Sequence, residues 1–256
     1  MVIETEELVN MTISVPDVAR GYAVWLEPAH LHFHSGGKAE VRAYWGSMMQ
    51  RDGQGQPENW RSFVIDPAGT EIPANIVSGE ELFHTVAFQA DAEGLYTVVL
   101  ENNAGIYCTL PDGSWVRDGG PVLPQGARCS RYVQWARVAA PVGHHVHGTP
   151  PGAIGGGLDI IPGSHHDFAP GDRLGLRVYF RGKPLQGAVL KGTSHLFDGS
   201  EYPLTGVTGQ EGEAEFTFSA KGHWMFTVTY TDDTDAKEGL YHTTVHTTTL
   251  VVPGVR

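Results

Sequence analysis

Apolar and polar positions alternate one for one along much of this chain, the two-residue period of a strand with one buried face. Phe216 and Phe218 fall on one side of an extended segment, with Glu215, Thr217 and Ser219 on the other. After the short connection Ala220–Lys221–Gly222, the pattern resumes with Trp224, Phe226, Val228 and Tyr230. Ala39–Trp45, Leu82–Gln89, Leu95–Leu100, Leu174–Phe180 and Leu240–Val252 read the same way, punctuated by Gly, Pro, Asp or Asn. Many short strands at close spacing predict an all-β protein, and sandwiches rather than a barrel. One stretch reads as a helix: across Ala127–Val138, Tyr132, Trp135, Ala136 and Ala139 recur at helical spacing. A strand through Tyr132–Trp135 is the alternative.

The Gly- and Pro-rich stretch Pro141–Gly157 is unsuited to a long regular element and marks a linker. It divides the chain near residue 150, giving a first domain over 1–150 with a histidine-rich linker at its end and a second over 151–256. In the second, Asp172–Phe180 is a strand, Gly182–Lys183 a turn and Pro184–Leu190 the start of the return.

Composition narrows the function. With 33 Gly and 16 Pro in 256 residues a helical bundle is excluded, and at 18% charged residues the chain has too few charges to be disordered. The net charge of -12 repels nucleic acid and anionic lipid, while attracting cations. No run approaches the roughly 18 apolar residues of a membrane span. The first 21 residues are acidic and lack the basic and apolar regions of a secretory leader. Cys108 and Cys129 leave three readings open: a disulfide in an oxidising compartment, two buried thiols, or a metal role.

The 13 histidines are the candidate chemistry, because imidazole is a borderline-soft donor suited to Ni, Co, Cu and Zn. His30, His32 and His34 share one face if AHLHFH is a strand, with Leu31 and Phe33 facing the core. His144, His145 and His147 lie in VGHHVHG, where flanking glycines let a loop converge its imidazoles. His165 and His166, with Asp167 beside them, open the second domain and stand near enough to the linker to share an interdomain site. A solvated histidine-rich face explains each cluster equally simply. His84 and His223 read as structural, and His195 as a remote ligand in a loop. His242 and His246 sit about 13 Å apart along a straight strand, too far to converge. Asp232, Asp233 and Asp235 read as a solvated hairpin tip or a weak calcium site.

No HExxH, GxSxG, phosphate-binding or dinucleotide-binding motif is present, so nothing in the sequence supports an enzyme. Two classes remain. One is a binding protein for a divalent transition metal. The other is a metal-free carbohydrate- or protein-recognition module using loop aromatics such as Trp60, Trp115 and Tyr202.

Four segments carry a resemblance: VWLEPAHLHFHSGGKAEVRAYWG and CSRYVQWARV in the first half, LDIIPGSHHDFAPGDRLGLRVYFRGKPLQGAVLKG and TGQEGEAEFTFSAKGHWMFTVTY in the second. Their Trp-Leu-x-Pro, Pro-Gly-Asp, Gly-Lys-Pro-Leu and Gly-x-Trp elements resemble the DUF4198 family over roughly residues 22 to 252. The resemblance implies a β-sandwich followed by an immunoglobulin-like or transthyretin-like sandwich, in a periplasmic component associated with nickel or cobalt uptake transporters. A nickel or cobalt ion, with zinc or copper as alternatives, and a membrane transporter would then be the partners. Two departures stand out. Relatives carry a His just before Trp-Leu, where this chain has Tyr22–Ala23–Val24, and often a His where it has Ser47. Any metal here must use other ligands, and the clusters at 30–34, 144–147 and 165–167 are the candidates.

Overall fold

The computed structural model describes residues 12–79, 82–117, 123, 125–154 and 157–256. The leader-like question at residues 1–11 lies outside these, as do residues 155–156 of the linker. Among the described residues the chain is all-β apart from two 3₁₀ turns, and its strands form sheets of ten, five and four.

The ten-stranded sheet is built around two long neighbours. Arg128–Val142 pairs antiparallel with Gly94–Thr109, placing Cys129 opposite Cys108. On its other edge it pairs in parallel with Thr243–Val255, with Tyr132 opposite Val245 and Val138 opposite Val251. Parallel pairing needs a crossover, and here that crossover is the whole stretch between the two strands. Gly222–Asp232 and Val189–Ser194 continue the sheet.

Side-chain alternation assigns the two faces of this sheet to two cores. Ala136, Val138, Ala140, Met225 and Val251 pack with Val24, Leu26, Val41, Val86 and Phe88 under the five-stranded sheet. Their neighbours in sequence, Trp224, Phe226, Leu250 and Val252, face the other way. They pack with Ile160, Leu174, Leu176 and Phe216 under the four-stranded sheet. Each fully buried aliphatic or aromatic side chain contributes roughly 1.5–3 kcal/mol, so both cores are substantial. Between them Arg137, 2% exposed, leaves the Arg128–Val142 strand on the second face and meets Asp159 of strand Leu158–Pro162 at 2.9 Å.

Several expectations are corrected. The helix at 127–138 is strand, because its apolar residues are sorted by two-sided burial in a shared sheet rather than by a helical stripe. The linker starts later than expected, since Pro141 and Val142 end that strand and are buried. His30–His34 is a loop with one strand-like bridge: Phe33 is buried, whereas Leu31 is 39% exposed and does not face the core. Lys183–Pro184 pairs back onto Phe180 for two residues, after which the chain leaves for Val189–Ser194 in the other sheet. Likewise Glu213–Thr217 and Gly222–Asp232 are not a hairpin but belong to different sheets. Trp60 is buried in a strand, and Trp115 and Tyr202 are half-buried, so these three do not form an exposed aromatic surface. Of the three readings left open for Cys108 and Cys129, the disulfide is the one found.

Candidate functional site: a histidine cleft between three loops

Phe33 is the latch that builds the site. Its backbone N–H donates to Pro141 O and its carbonyl accepts from Gly143 N–H, both at 2.8 Å, while its ring is buried. Extended backbone at Phe33 turns His32 and His34 outward on either side of it. The same two bonds hold loop 29–36 against the turn that follows Val142, which places His144 beside both. Ring centroids are 4.6 Å apart for His32–His144, 5.6 Å for His32–His34 and 5.8 Å for His34–His144. Gly143 at φ 105° and His145 at φ 52° give the turn its sharp left-handed bend.

The third cluster is drawn in by a separate pairing. Gly148 and His165 exchange backbone hydrogen bonds at 3.1 and 2.8 Å. His165, His166 and Asp167 thereby join His32, His144 and His145 around one cleft of about 170 Å³. His165 is pushed below the usual histidine range by burial, with His147 and His166 adding to the effect and Asp167 opposing it. His32 is lowered by desolvation and then by the His144 and His34 rings. Both effects favour the neutral imidazole, the form that ligates a metal. His30 packs edge-on against Phe33, and His166 stacks on Phe168 with Ser164 Oγ 3.3 Å from its Nδ1.

Two imidazoles sharing a metal at about 2.1 Å stand with ring centroids roughly 4.5–5.2 Å apart, depending on whether the geometry is octahedral or tetrahedral. The His32–His144 separation of 4.6 Å falls in that range, and those to His34, at 5.6 and 5.8 Å, lie beyond it. The His32 and His144 rings, rather than their nitrogens, are at ligand spacing, and χ2 of histidine is soft enough to turn a nitrogen inward without moving backbone. Gly254 and Arg256 also line the cleft, and the Arg256 guanidinium opposes a cation there. Nothing in the local sequence signals these two, because they arrive through the parallel pairing of the last strand.

The other histidines do not line this cleft. His84 is buried against Trp60, with ring centroids 5.2 Å apart. His242 Nδ1 accepts from Cys129 N–H at 3.0 Å, and His195 Nδ1 accepts from His223 N–H at 2.9 Å. His246 is buried, and burial lowers it. Among the described residues, Asp232, Asp235 and His246 bring three ligating atoms within 4.8 Å of one another. The sequence missed this grouping because Asp232 and His246 lie on neighbouring strands.

A second concavity of about 500 Å³ opens elsewhere, where Trp45 and Tyr107 face Asp52, Asn59, Asn102 and Arg117. No helix among the described residues is long and apolar enough to cross a membrane.

The family model described as a domain of unknown function, DUF4198, matches residues 19–232. No curated protein matches the chain. Among solved structures, a DUF4785 family protein from Legionella pneumophila is 10% identical, with 79% of this chain and 50% of that one covered, at a TM-score of 0.29. The chain thus spans about half the length of that protein. The D0-D1 domain of intimin is 12% identical over 90% of this chain and 95% of that one, at a TM-score of 0.24. The adhesin InvE of Yersinia pseudotuberculosis is 10% identical over 90% and 58%, at 0.23. With scores this low, the architecture is read from the chain's own sheets.

Proposed function

The chain belongs to the DUF4198 family, and from the cleft lined by His32 and His144, with His34 packed beside both rings, we propose that it is an extracytoplasmic binding protein for nickel or cobalt rather than an enzyme. The carrying observation is the convergence of imidazoles from two separate loops, with the His32 and His144 rings 4.6 Å apart and His34 within 5.8 Å of both. His145, His165, His166 and Asp167 complete an environment able to offer four to six donors, as nickel and cobalt accept. An exposed, loop-built site suits capture and release better than permanent retention, which fits delivery to a membrane uptake transporter. The Cys108–Cys129 disulfide supports an oxidising compartment.

Calorimetric titration of the tag-free, metal-stripped protein at pH 7.5 with Ni²⁺, Co²⁺, Zn²⁺ and Cu²⁺ tests the reading. Saturable Ni²⁺ or Co²⁺ binding that is lost in H32A/H144A supports it. Binding of neither ion at the cleft overturns it.

The second concavity favours the alternative of a metal-free carbohydrate-recognition module. Trp45 and Tyr107 line it together with Asn59 and Arg117, a mix of aromatic rings and planar polar groups of the kind that sugar rings and hydroxyls need. An oligosaccharide panel whose binding is abolished by W45A and Y107A, and is indifferent to chelators, would establish that reading instead.

A further inference from the structure

A buried imidazole with neither ring nitrogen hydrogen-bonded is an exception in native proteins, and beside a carboxylate oxygen that also lacks a hydrogen bond a bound ion accounts for it. His246 is one. It is 6% exposed, and neither Nδ1 nor Nε2 has a hydrogen-bond partner. Its ring rests on Phe180, with centroids 5.0 Å apart. The strand register puts His246 opposite Tyr230, two residues from Asp232 at the end of the same strand.

Asp232 is 3% exposed. Its Oδ1 is satisfied by the backbone N–H and hydroxyl of Thr234, at 2.9 and 2.6 Å. Its Oδ2 has no hydrogen bond of good geometry and faces Arg181 Nη2 at 3.0 Å. Asp235 Oδ2 lies 3.3 Å from the same nitrogen. One half-exposed guanidinium therefore bridges two carboxylates and leaves the nearby imidazole without a partner. Arg181 reaches in from a turn over the Phe180 ring, with its side chain 48% exposed, so it can withdraw to water while the other three groups stay in place.

We propose that Asp232, Asp235 and His246 form a second divalent-metal site, separate from the histidine cleft, in which Arg181 is a tethered cation that an incoming ion displaces. The donor set is one imidazole and two carboxylates, leaving a fourth position for water. Those ligands suit Zn²⁺ or a neighbouring first-row ion better than Ca²⁺ or Mg²⁺, which prefer oxygen throughout. Displacement is balanced in charge. The guanidinium leaves one net negative charge on the pair of carboxylates, and the divalent ion neutralises both. The proposal does not depend on the cleft reading.

The test uses Zn²⁺ and the full chain, with far-UV circular dichroism confirming that each variant is folded. In H32A/H144A, which strips the cleft of its closest imidazole pair, one Zn²⁺ equivalent should still bind, and adding H246F should abolish it. H246F keeps an aromatic ring against Phe180 and so guards against simple unfolding. R181Q should tighten the remaining site by about tenfold, the low end of what removing a cation a few ångströms away yields at a half-exposed position. No Zn²⁺ binding in H32A/H144A, binding that survives H246F, or affinity unchanged or weakened in R181Q would each overturn the proposal. One equivalent lost only in H32A/H144A sinks this site and keeps the cleft. One equivalent lost only in H246F keeps this site, and the cleft then rests on its own Ni²⁺ and Co²⁺ titration.

Discussion

Removing the carboxylate of Asp159 should destabilise the protein far more than removing the whole Arg137–Asp159 pair. Arg137 is 2% exposed, and its Nη1 donates to Asp159 Oδ2 at 2.9 Å. Its Nη2 donates to Pro151 O at 2.5 Å, while Asp159 Oδ2 also accepts from Ile154 N–H at 3.1 Å. The pair therefore joins a central strand to the four-stranded sheet and pins the segment after the histidine turn. In D159A the guanidinium stays buried without a counter-charge, and Ile154 N–H loses its acceptor. Breaking a buried pair in this way costs about 3–5 kcal/mol. For a chain of this size, each kcal/mol is worth about 2–4 °C, so Tm should fall by roughly 10 °C. Replacing both partners in R137M/D159L removes the desolvation cost together with the attraction, and should leave stability within about 1–2 kcal/mol of the parent. Urea unfolding of the parent, D159A and R137M/D159L compares the broken pair with the replaced one, and R137M and D159L alone complete the cycle that measures the coupling. A D159A cost below about 1 kcal/mol, or a double variant no more stable than D159A, would refute this account of the junction.

Three further outcomes follow from the same contacts. F33A should cost about 3–5 kcal/mol through core loss and weaken Ni²⁺ binding by about tenfold, because the buried ring that anchors the loop of His32 and His34 is lost and its two backbone bonds hold alone; calorimetry at a temperature where the variant is folded measures it. C108A/C129A should lose about 2–4 kcal/mol in urea unfolding, since the unfolded chain is freed of its cross-link, with a parent-like result refuting a structural disulfide. Burial pushes His84 below the ordinary histidine range, with Glu58 pulling the other way; the unfolded chain thus takes up the proton first, and its stabilising effect is present above about pH 6.5 and lost as pH falls toward the folded value. H84L should therefore flatten the fall in stability between about pH 6.5 and 5, where one such group contributes at most about 1.4 kcal/mol per pH unit.

The strands were legible because one face of each is buried. Phe216 and Phe218, or Trp224 and Phe226, announce a period of two that no turn chemistry obscures. The misreading of residues 127–138 has the same root. In this strand Ala136 and Val138 face one core while Arg137 faces the other, and two-sided burial removes the alternation that marks a strand. The histidine clusters were legible as chemistry and not as geometry. Their convergence depends on two backbone pairings, Phe33 with the end of the Arg128–Val142 strand and Gly148 with His165, and neither has a local signature. Asp232 and His246 were hidden more deeply, because strand register brings them together and register is set by the whole sheet.

The parallel ladder between Arg128–Val142 and Thr243–Val255 is what makes the cleft a property of the complete chain. The first of these strands ends at the turn carrying His144, and the second ends beside it with Gly254 and Arg256 on the rim. Leu31 lies so close to Gly254, which has φ 69°, that a Cβ there would stand 2.8 Å from the leucine Cδ2. Loop 29–36 therefore packs on the last strand as well as on the strand before the turn. The site has walls from the first core, from the junction and from the second core, and none of the three closes it alone. Its geometry is consequently tied to docking of the two halves, rather than to the flexibility of any one glycine-rich loop. The isolated segment 1–150 contains His32, His34 and His144 and yet lacks the strand that positions two walls of the cleft.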